Sequence, residues 1–232
     1  MTVRGVEVDV VPDAEAAARA VAERLAAQAR TGGHVVLTGG STPKRAYELA
    51  AELEPDWSRV ELWWDDERCV APGDERSNYG MAKAALLDRL DRPPRAVHRM
   101  HGEAGRERGA ELYEQELGVL ERFDLLLLGL GPDGHVASLY PGQPTLDERE
   151  RRVVGAEARL EPYVDRITLT LPLLVAAREV LFLVTGASKA DAAARAFAGE
   201  ATRETPGSLV RSALGTTHAV LDRAAAAQLD LS

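Results

Sequence analysis

The residues with most to offer chemically sit in one run, Gly129-Leu130-Gly131-Pro132-Asp133-Gly134-His135. A neutral imidazole titrates near neutrality and can take a proton from water. Asp133, two residues before His135, is placed to fix the ring tautomer or to hold that water; the alternative is a histidine that only satisfies local backbone. The run also fits G-x-G-x-x-G, the dinucleotide fingerprint. That fingerprint needs an amphipathic helix directly after it, normally in the first βα unit. Here Ser138-Leu139-Tyr140-Pro141-Gly142-Gln143-Pro144 permits at most about two helical turns, and the run lies past mid-chain. A nicotinamide site is therefore set aside.

Three other segments offer anion chemistry. Thr38-Gly39-Gly40-Ser41-Thr42-Pro43 joins an expected strand to an expected helix. Its glycines let backbone approach a ligand, and a helix start presents unpaired N–H groups and a partial positive charge. Phosphate suits such a site; an ordinary tight turn with a Ser/Thr cap is the plainer reading. Asp65-Asp66-Glu67-Arg68 follows Trp63-Trp64. Three carboxylates and one arginine are too polar for a core and are expected in a solvated turn, with the Arg68 guanidinium able to grip two phosphate oxygens. Thr185-Gly186-Ala187-Ser188-Lys189 opens another helix, where a cation in the first turn opposes the dipole unless an anion binds. Arg166 either reaches the same pole or pairs with a nearby carboxylate.

Ser77-Asn78-Tyr79 reads as a helix cap. His34, His98, His101 and His218 lack ligand spacing and are assigned structural roles, Cys69 lacks a basic partner other than Arg68, and nothing demands a metal.

These segments need strand ends to hold them. Val6–Val11, His34–Leu37, Val60–Trp64, Val97–Met100, Phe123–Leu128, Val153–Ala156, Ile167–Leu171, Val180–Val184 and His218–Leu221 read as strands. Helices are expected from Asp13 to Arg30, Ser41 to Leu53, Asn78 to Leu90, Glu103 to Leu117, Leu173 to Ala177 and Ser188 to Phe197. Such alternation predicts an open, mostly parallel, Rossmann-like α/β sheet with helices on both faces. Sites in such sheets form at the carboxyl ends of strands, where the polar segments fall.

The chain has 232 residues, which suits a single domain over 1–232. It carries 28 Lys and Arg against 37 Asp and Glu, net −9. That charge and the lack of a basic run argue against nucleic acid; an anionic substrate must find its cations gathered locally. No apolar run approaches the roughly 20 residues of a membrane span. Met1–Val11 alternates like a strand rather than a signal peptide. One cysteine excludes an internal disulfide, and a cytoplasmic location is expected.

Taken together, Gly39-Gly40-Ser41-Thr42-Pro43, Trp64-Asp65-Asp66-Glu67-Arg68 with Ser77-Asn78-Tyr79, the stretch from Gly129 to Pro141, and Arg166-Ile167-Thr168-Leu169-Thr170 resemble the signatures of the glucosamine-6-phosphate isomerase/6-phosphogluconolactonase family. The resemblance runs from about Gly39 to Lys189. It implies a NagB-like sheet and hydrolysis of 6-phosphogluconolactone, the second step of the oxidative pentose phosphate pathway, with no required cofactor. It implies His135 as general base, Asp133 as its support, and Arg68, Lys189 and the Gly39–Thr42 loop as phosphate ligands, with Arg166 as a further carry-over. The related glucosamine-6-phosphate deaminases carry an acid shortly after the histidine. Tyr140 stands there in this chain, which favours the lactonase. A non-catalytic sugar-phosphate sensor ranks below both. Oligomeric state is left open, with a monomer favoured.

With a lactone as substrate, no covalent intermediate is expected, because no Ser or Cys has an evident base partner.

Overall fold

The computed structural model describes residues 1–159 and 161–229. The first half runs β1 (Thr2–Val3), β2 (Val6–Val11), α1 (Ala14–Thr31), β3 (Gly33–Leu37), α2 (Ser41–Leu53), β4 (Val60–Trp64), β5 (Asp66–Arg68), α3 (Asn78–Ala85), β6 (Ala96–Val97) and α4 (Arg106–Leu117). The second runs β7 (Leu125–Leu128), β8 (Val153–Ala156), β9 (Arg166–Leu169), α5 (Leu171–Ala176), β10 (Glu179–Val184), α6 (Ala190–Ala193), continued by a π-helical turn through Ala198, and β11 (Thr216–Asp222).

The main sheet has eight strands in the order β1-β2-β11-β10-β7-β3-β4-β6, parallel except for the β1–β2 pair. Helices cover both faces. Leu125 and Leu127 of β7 pack with α1 and α2; Leu126 and Leu128 pack with α4, α5 and α6. A four-leucine strand with no polar face is what a sheet covered on both sides requires. The adjacent tryptophans of β4 divide the same way, Trp64 to the first layer and Trp63 to the second. From β3 the chain proceeds through β4 toward one edge, and from β7 through β10 toward the other. The crevice between β3 and β7 is thus the switch point where open α/β sheets bind ligands. No described helix is long and apolar enough to cross a membrane.

Three expectations change. The strands at 153–156 and 166–169 do not join the main sheet; with β5 they form a separate antiparallel sheet, β5-β9-β8. Asp65 joins the two sheets, its N–H donating to Leu37 O (3.0 Å) and its carbonyl accepting from Leu169 N (2.9 Å).

Second, the acidic run is not a solvated turn: Asp65, Asp66 and Glu67 are 0, 8 and 2% exposed. Their burial is tolerable because every carboxylate has partners. Asp65 accepts from Thr38 Oγ1 (2.8 Å) and the Asp66 N–H (2.8 Å). Asp66 accepts from Asn78 Nδ2 (2.7 Å) and Ser138 Oγ (2.5 Å). Glu67 accepts from the N–H groups of Arg68, Asn78 and Tyr79 and from Ser77 Oγ, so it caps α3 from a distance. Burial, with the neighbouring Asp66 charge, pushes the Asp65 carboxyl well above the usual range, and burial raises Glu67 too.

Third, the helices expected over 78–90 and 103–117 are shorter. The first gives way to a 3₁₀ turn at Leu87–Arg89; a 3₁₀ turn at Gly102–Ala104 precedes the second, which starts after Gly105 at φ +80°. The strand expected over 97–100 is only Ala96–Val97.

Candidate active site

The carboxyl ends of β3 and β7 face one cavity. Its wall includes Thr38, Gly39 and Gly40 after β3, Gly129, Leu130 and Gly131 after β7, and then His135, Val136 and Ala137; Asp66 and Arg68 of β5, Asn78 of α3 and Lys189 complete it.

The loop after β7 is built to present His135. Gly134 N–H donates to Gly131 O (2.9 Å) and Gly131 N–H to His135 O (2.8 Å), which folds the run back on itself. Gly134 takes φ +93°, a left-handed conformation natural for glycine, and the next loop packs on it through Gly207 N–H to Gly134 O (2.9 Å). Ala137 also has positive φ, +48°, which non-glycine residues rarely adopt. Two buried anchors hold it: Val136 and Leu139 in the core, and Ser138 between Thr168 Oγ1 and Asp66 Oδ2.

His135 Nδ1 lies 2.6 Å from Asp133 Oδ1, which also accepts the His135 backbone N–H at 3.1 Å. An ionised carboxylate only accepts, so Nδ1 carries a proton, and in the neutral ring this leaves Nε2 as the atom with the lone pair. Burial alone would push the Asp133 carboxyl up; the hydrogen bond and charge of His135 outweigh it and hold Asp133 below the usual carboxylate range. Tyr140 packs its ring against the imidazole, centroids 4.9 Å apart, and limits its rotation.

The cationic side is equally defined. Arg68 Nη1 donates to Arg76 O (2.6 Å), which steadies the guanidinium. Among the described residues no carboxylate pairs with Arg68 or Lys189, although 37 acids are present in the chain. Lys189 is half-buried, and desolvation lowers its ammonium from the ordinary value against the opposing pull of Asp133. Gly40, at φ +110°, is the cap of α2 and offers no side-chain acceptor, so the first-turn N–H groups of that helix lack a capping partner. Two cations without carboxylate partners and an uncapped helix start on one cavity are an arrangement able to hold an anion.

Of the residues expected from sequence, His135, Gly39, Gly40, Arg68 and Lys189 share the cavity wall, with Asp133 directly behind His135. Ser41 and Thr42 stand just outside it. Ser41 is exposed, and Thr42 Oγ1 sits 3.2 Å from Thr185 Oγ1, tying the β3 and β10 turns together. Arg166 is also outside the wall. It is buried, opposite Arg68 in the β5–β9 ladder, with Nη2 donating to Pro162 O (3.2 Å) and Nη1 without a partner. It pairs with no carboxylate among the described residues. Sequence reasoning did not single out Thr38, Asp66 or Asn78 as site residues; the signals were their places in the Thr38–Pro43 segment, the acidic run before Arg68 and the Ser77-Asn78-Tyr79 cap.

The remaining histidines sit elsewhere. His34 and His98 flank Trp63 at the opposite end of the sheet, His101 contacts Glu103, and His218 contacts Glu7 and Arg24. Burial pushes the Cys69 thiol up to about 11, which leaves it inert at neutral pH.

Residues 12–219 match the family described as Glucosamine-6-phosphate isomerases/6-phosphogluconolactonase. A 6-phosphogluconolactonase of Streptomyces coelicolor is 41% identical over 94% of this chain and 90% of its own. The solved structure of 6-phosphogluconolactonase from Trypanosoma brucei superposes with a TM-score of 0.86 at 26% identity, covering 97% of this chain and 99% of that one. A monomeric glucosamine-6-phosphate deaminase of the NagB superfamily shares the fold, with a TM-score of 0.84 at 21% identity over 96% of this chain and all of that one. With its NagB-like sheet and a family match spanning most of its length, the chain belongs to the glucosamine-6-phosphate isomerases/6-phosphogluconolactonase family.

Proposed function

We propose that the chain, acting as one domain over residues 1–232, hydrolyses 6-phosphoglucono-1,5-lactone to 6-phosphogluconate in the pentose phosphate pathway. The observation that carries this is the 2.6 Å Asp133–His135 contact at the wall of a cavity that also holds two unpaired cations. A lactone with a distant phosphate needs both ends of that arrangement. The names of the relatives support the same substrate.

His135 Nε2 takes a proton from water as its oxygen bonds to C1. The C1–ring oxygen bond then breaks, and the imidazolium returns the proton to the departing ring oxygen, which becomes the C5 hydroxyl. Asp133 holds the tautomer and stabilises the imidazolium. Arg68, Lys189 and the uncapped start of α2 at Gly39–Thr42 bind the phosphate and fix the ring in register. Arg166, on the strand behind Arg68, adds to the positive potential there. General base catalysis of this kind contributes about 10²–10⁴-fold.

The test is His135→Ala assayed for lactone hydrolysis above the spontaneous rate, with ammonia release from glucosamine 6-phosphate as control. A kcat lowered by about 10²–10⁴-fold with phosphate-ligand affinity retained is expected. Unchanged turnover removes His135 from the mechanism, and ammonia release by the wild-type protein would move the assignment to a deaminase.

A further inference from the structure

One polar atom on the cavity wall is left over by this scheme. Asn78 is 2% exposed and its Oδ1 has no hydrogen-bond partner. The orientation of the amide is chemically determined. Its Nδ2 donates to Asp66 O (3.0 Å) and Asp66 Oδ1 (2.7 Å), and a flipped amide would turn its oxygen onto two acceptors. Oδ1 therefore points the other way, toward Gly39. A Cβ built at Gly39 would lie 2.0 Å from it, so only glycine leaves the amide oxygen room. A buried acceptor left unpaired is costly, and one lining a ligand cavity invites a donor from the ligand.

The chemistry of that donor follows from the wall. On this side the wall residues Asn78 and Asp66 carry acceptor oxygens, both of Asp66 already taken by Asn78 Nδ2 and Ser138 Oγ and only Asn78 Oδ1 without a partner, whereas Arg68, Lys189 and the α2 start offer donors. A phosphate dianion has acceptors only and is served by the donor side. The acceptor side calls for hydroxyl groups.

We propose that Asn78 Oδ1 accepts a hydrogen bond from a secondary hydroxyl of the sugar, making Asn78 a specificity-determining residue that separates phosphorylated polyols from other phosphates. This rests on the sugar-phosphate reading above. Asp66 positions the amide, and Ser138 holds Asp66 from the other side at 2.5 Å, so the hydroxyl contact is braced by the same loop that presents His135.

The experiment compares two ligands on two proteins. Binding of 6-phosphogluconate and of hexyl phosphate, which has no hydroxyl, is measured by calorimetry for wild type and Asn78→Ala. Loss of a hydrogen bond to a buried acceptor should weaken 6-phosphogluconate by about 5- to 150-fold while hexyl phosphate is unchanged. Equal losses for both ligands would mean that Asn78 only shapes the Gly39–Gly40 loop, and would overturn the proposal, as would no loss for either. Asn78→Ser serves the same comparison if the alanine variant does not fold. The wild type alone is also decisive in one direction, since equal affinity for the two ligands leaves no hydroxyl recognition to assign. Lactone turnover by the wild type is read separately. Its absence would sink the lactonase reading while a hydroxyl-dependent loss at position 78 still stood.

Discussion

The Asp133–His135 contact sets a measurable size for the contribution of the carboxylate. Asp133 Oδ1 accepts from both His135 Nδ1 (2.6 Å) and the His135 backbone N–H (3.1 Å). In Asp133→Asn the amide oxygen can occupy the Oδ1 position and keep both bonds, because an amide nitrogen there would oppose the backbone N–H. What is lost is the charge. A charge-assisted bond is worth about 1.5–3 kcal/mol and a neutral one about 0.5–1.5, so the difference is about 1–1.5 kcal/mol, or roughly 5- to 13-fold in kcat. Asp133→Ala loses the whole bond, about 10- to 150-fold. In both variants KM should stay within about twofold, since the proposed phosphate ligands Arg68 and Lys189 are untouched. The assay is the initial rate of acid release from fresh 6-phosphogluconolactone near neutral pH, corrected for spontaneous hydrolysis. An alanine variant with full kcat, or one altered only in KM, would refute the idea that this carboxylate orients and stabilises the base. A drop of about 10⁴-fold in the asparagine variant would instead point to an inverted tautomer.

Other expectations follow from the same geometry. Burial lowers the Lys189 ammonium, so it loses its proton in the folded state below the ordinary lysine range; affinity for 6-phosphogluconate should fall as pH rises through that region, and Lys189→Arg should abolish the fall in a fluorescence or calorimetric titration. The sign for stability is opposite, because the cost of burying that charge disappears as it deprotonates. A Cβ at Gly131 would lie 2.0 Å from His135 Nδ1, so Gly131→Ala should displace the ring and cut kcat by at least about tenfold with phosphate-ligand affinity retained. Glu67→Gln turns an amide nitrogen toward the Tyr79 or Asn78 N–H; about 1–3 kcal/mol should be lost, lowering Tm by roughly 3–10 °C in a thermal melt. Leu127→Ala, fully buried at the centre of the sheet, should cost about 2–5 kcal/mol in chemical denaturation without moving KM.

The sequence made the main sheet legible because its strands are short apolar runs separated by capped helices; the four leucines of β7 and the Asp13 cap, whose side chain accepts from Ala16 N–H at 2.9 Å, were both readable locally. His135, Asp133, Arg68 and Lys189 were legible as chemically able residues at strand ends. The burial of Asp65, Asp66 and Glu67 was not. Three consecutive acids look solvated until their partners are known, and those partners, Thr38, Ser77, Asn78 and Ser138, come from other parts of the chain. The second sheet was hidden for the same reason, since β8 and β9 have the length and composition of main-sheet strands and only the pairing of β9 with β5, and of β8 with β9, distinguishes them. Asn78 read as part of a helix cap; Ser77 is the cap of α3, while the Asn78 side chain, in the cavity wall, holds Asp66.

The backbone of Asp65, between β4 and β5, is bonded to both sheets, its N–H to Leu37 of the main one and its carbonyl to Leu169 of the small one. A residue fastened on both sides cannot act as a pivot. Arg68, three residues on, and Gly39, just past Leu37 on the adjoining strand end, are therefore tied to one shared backbone anchor. A phosphate seat built on that anchor, as proposed above, would need little binding free energy for its assembly.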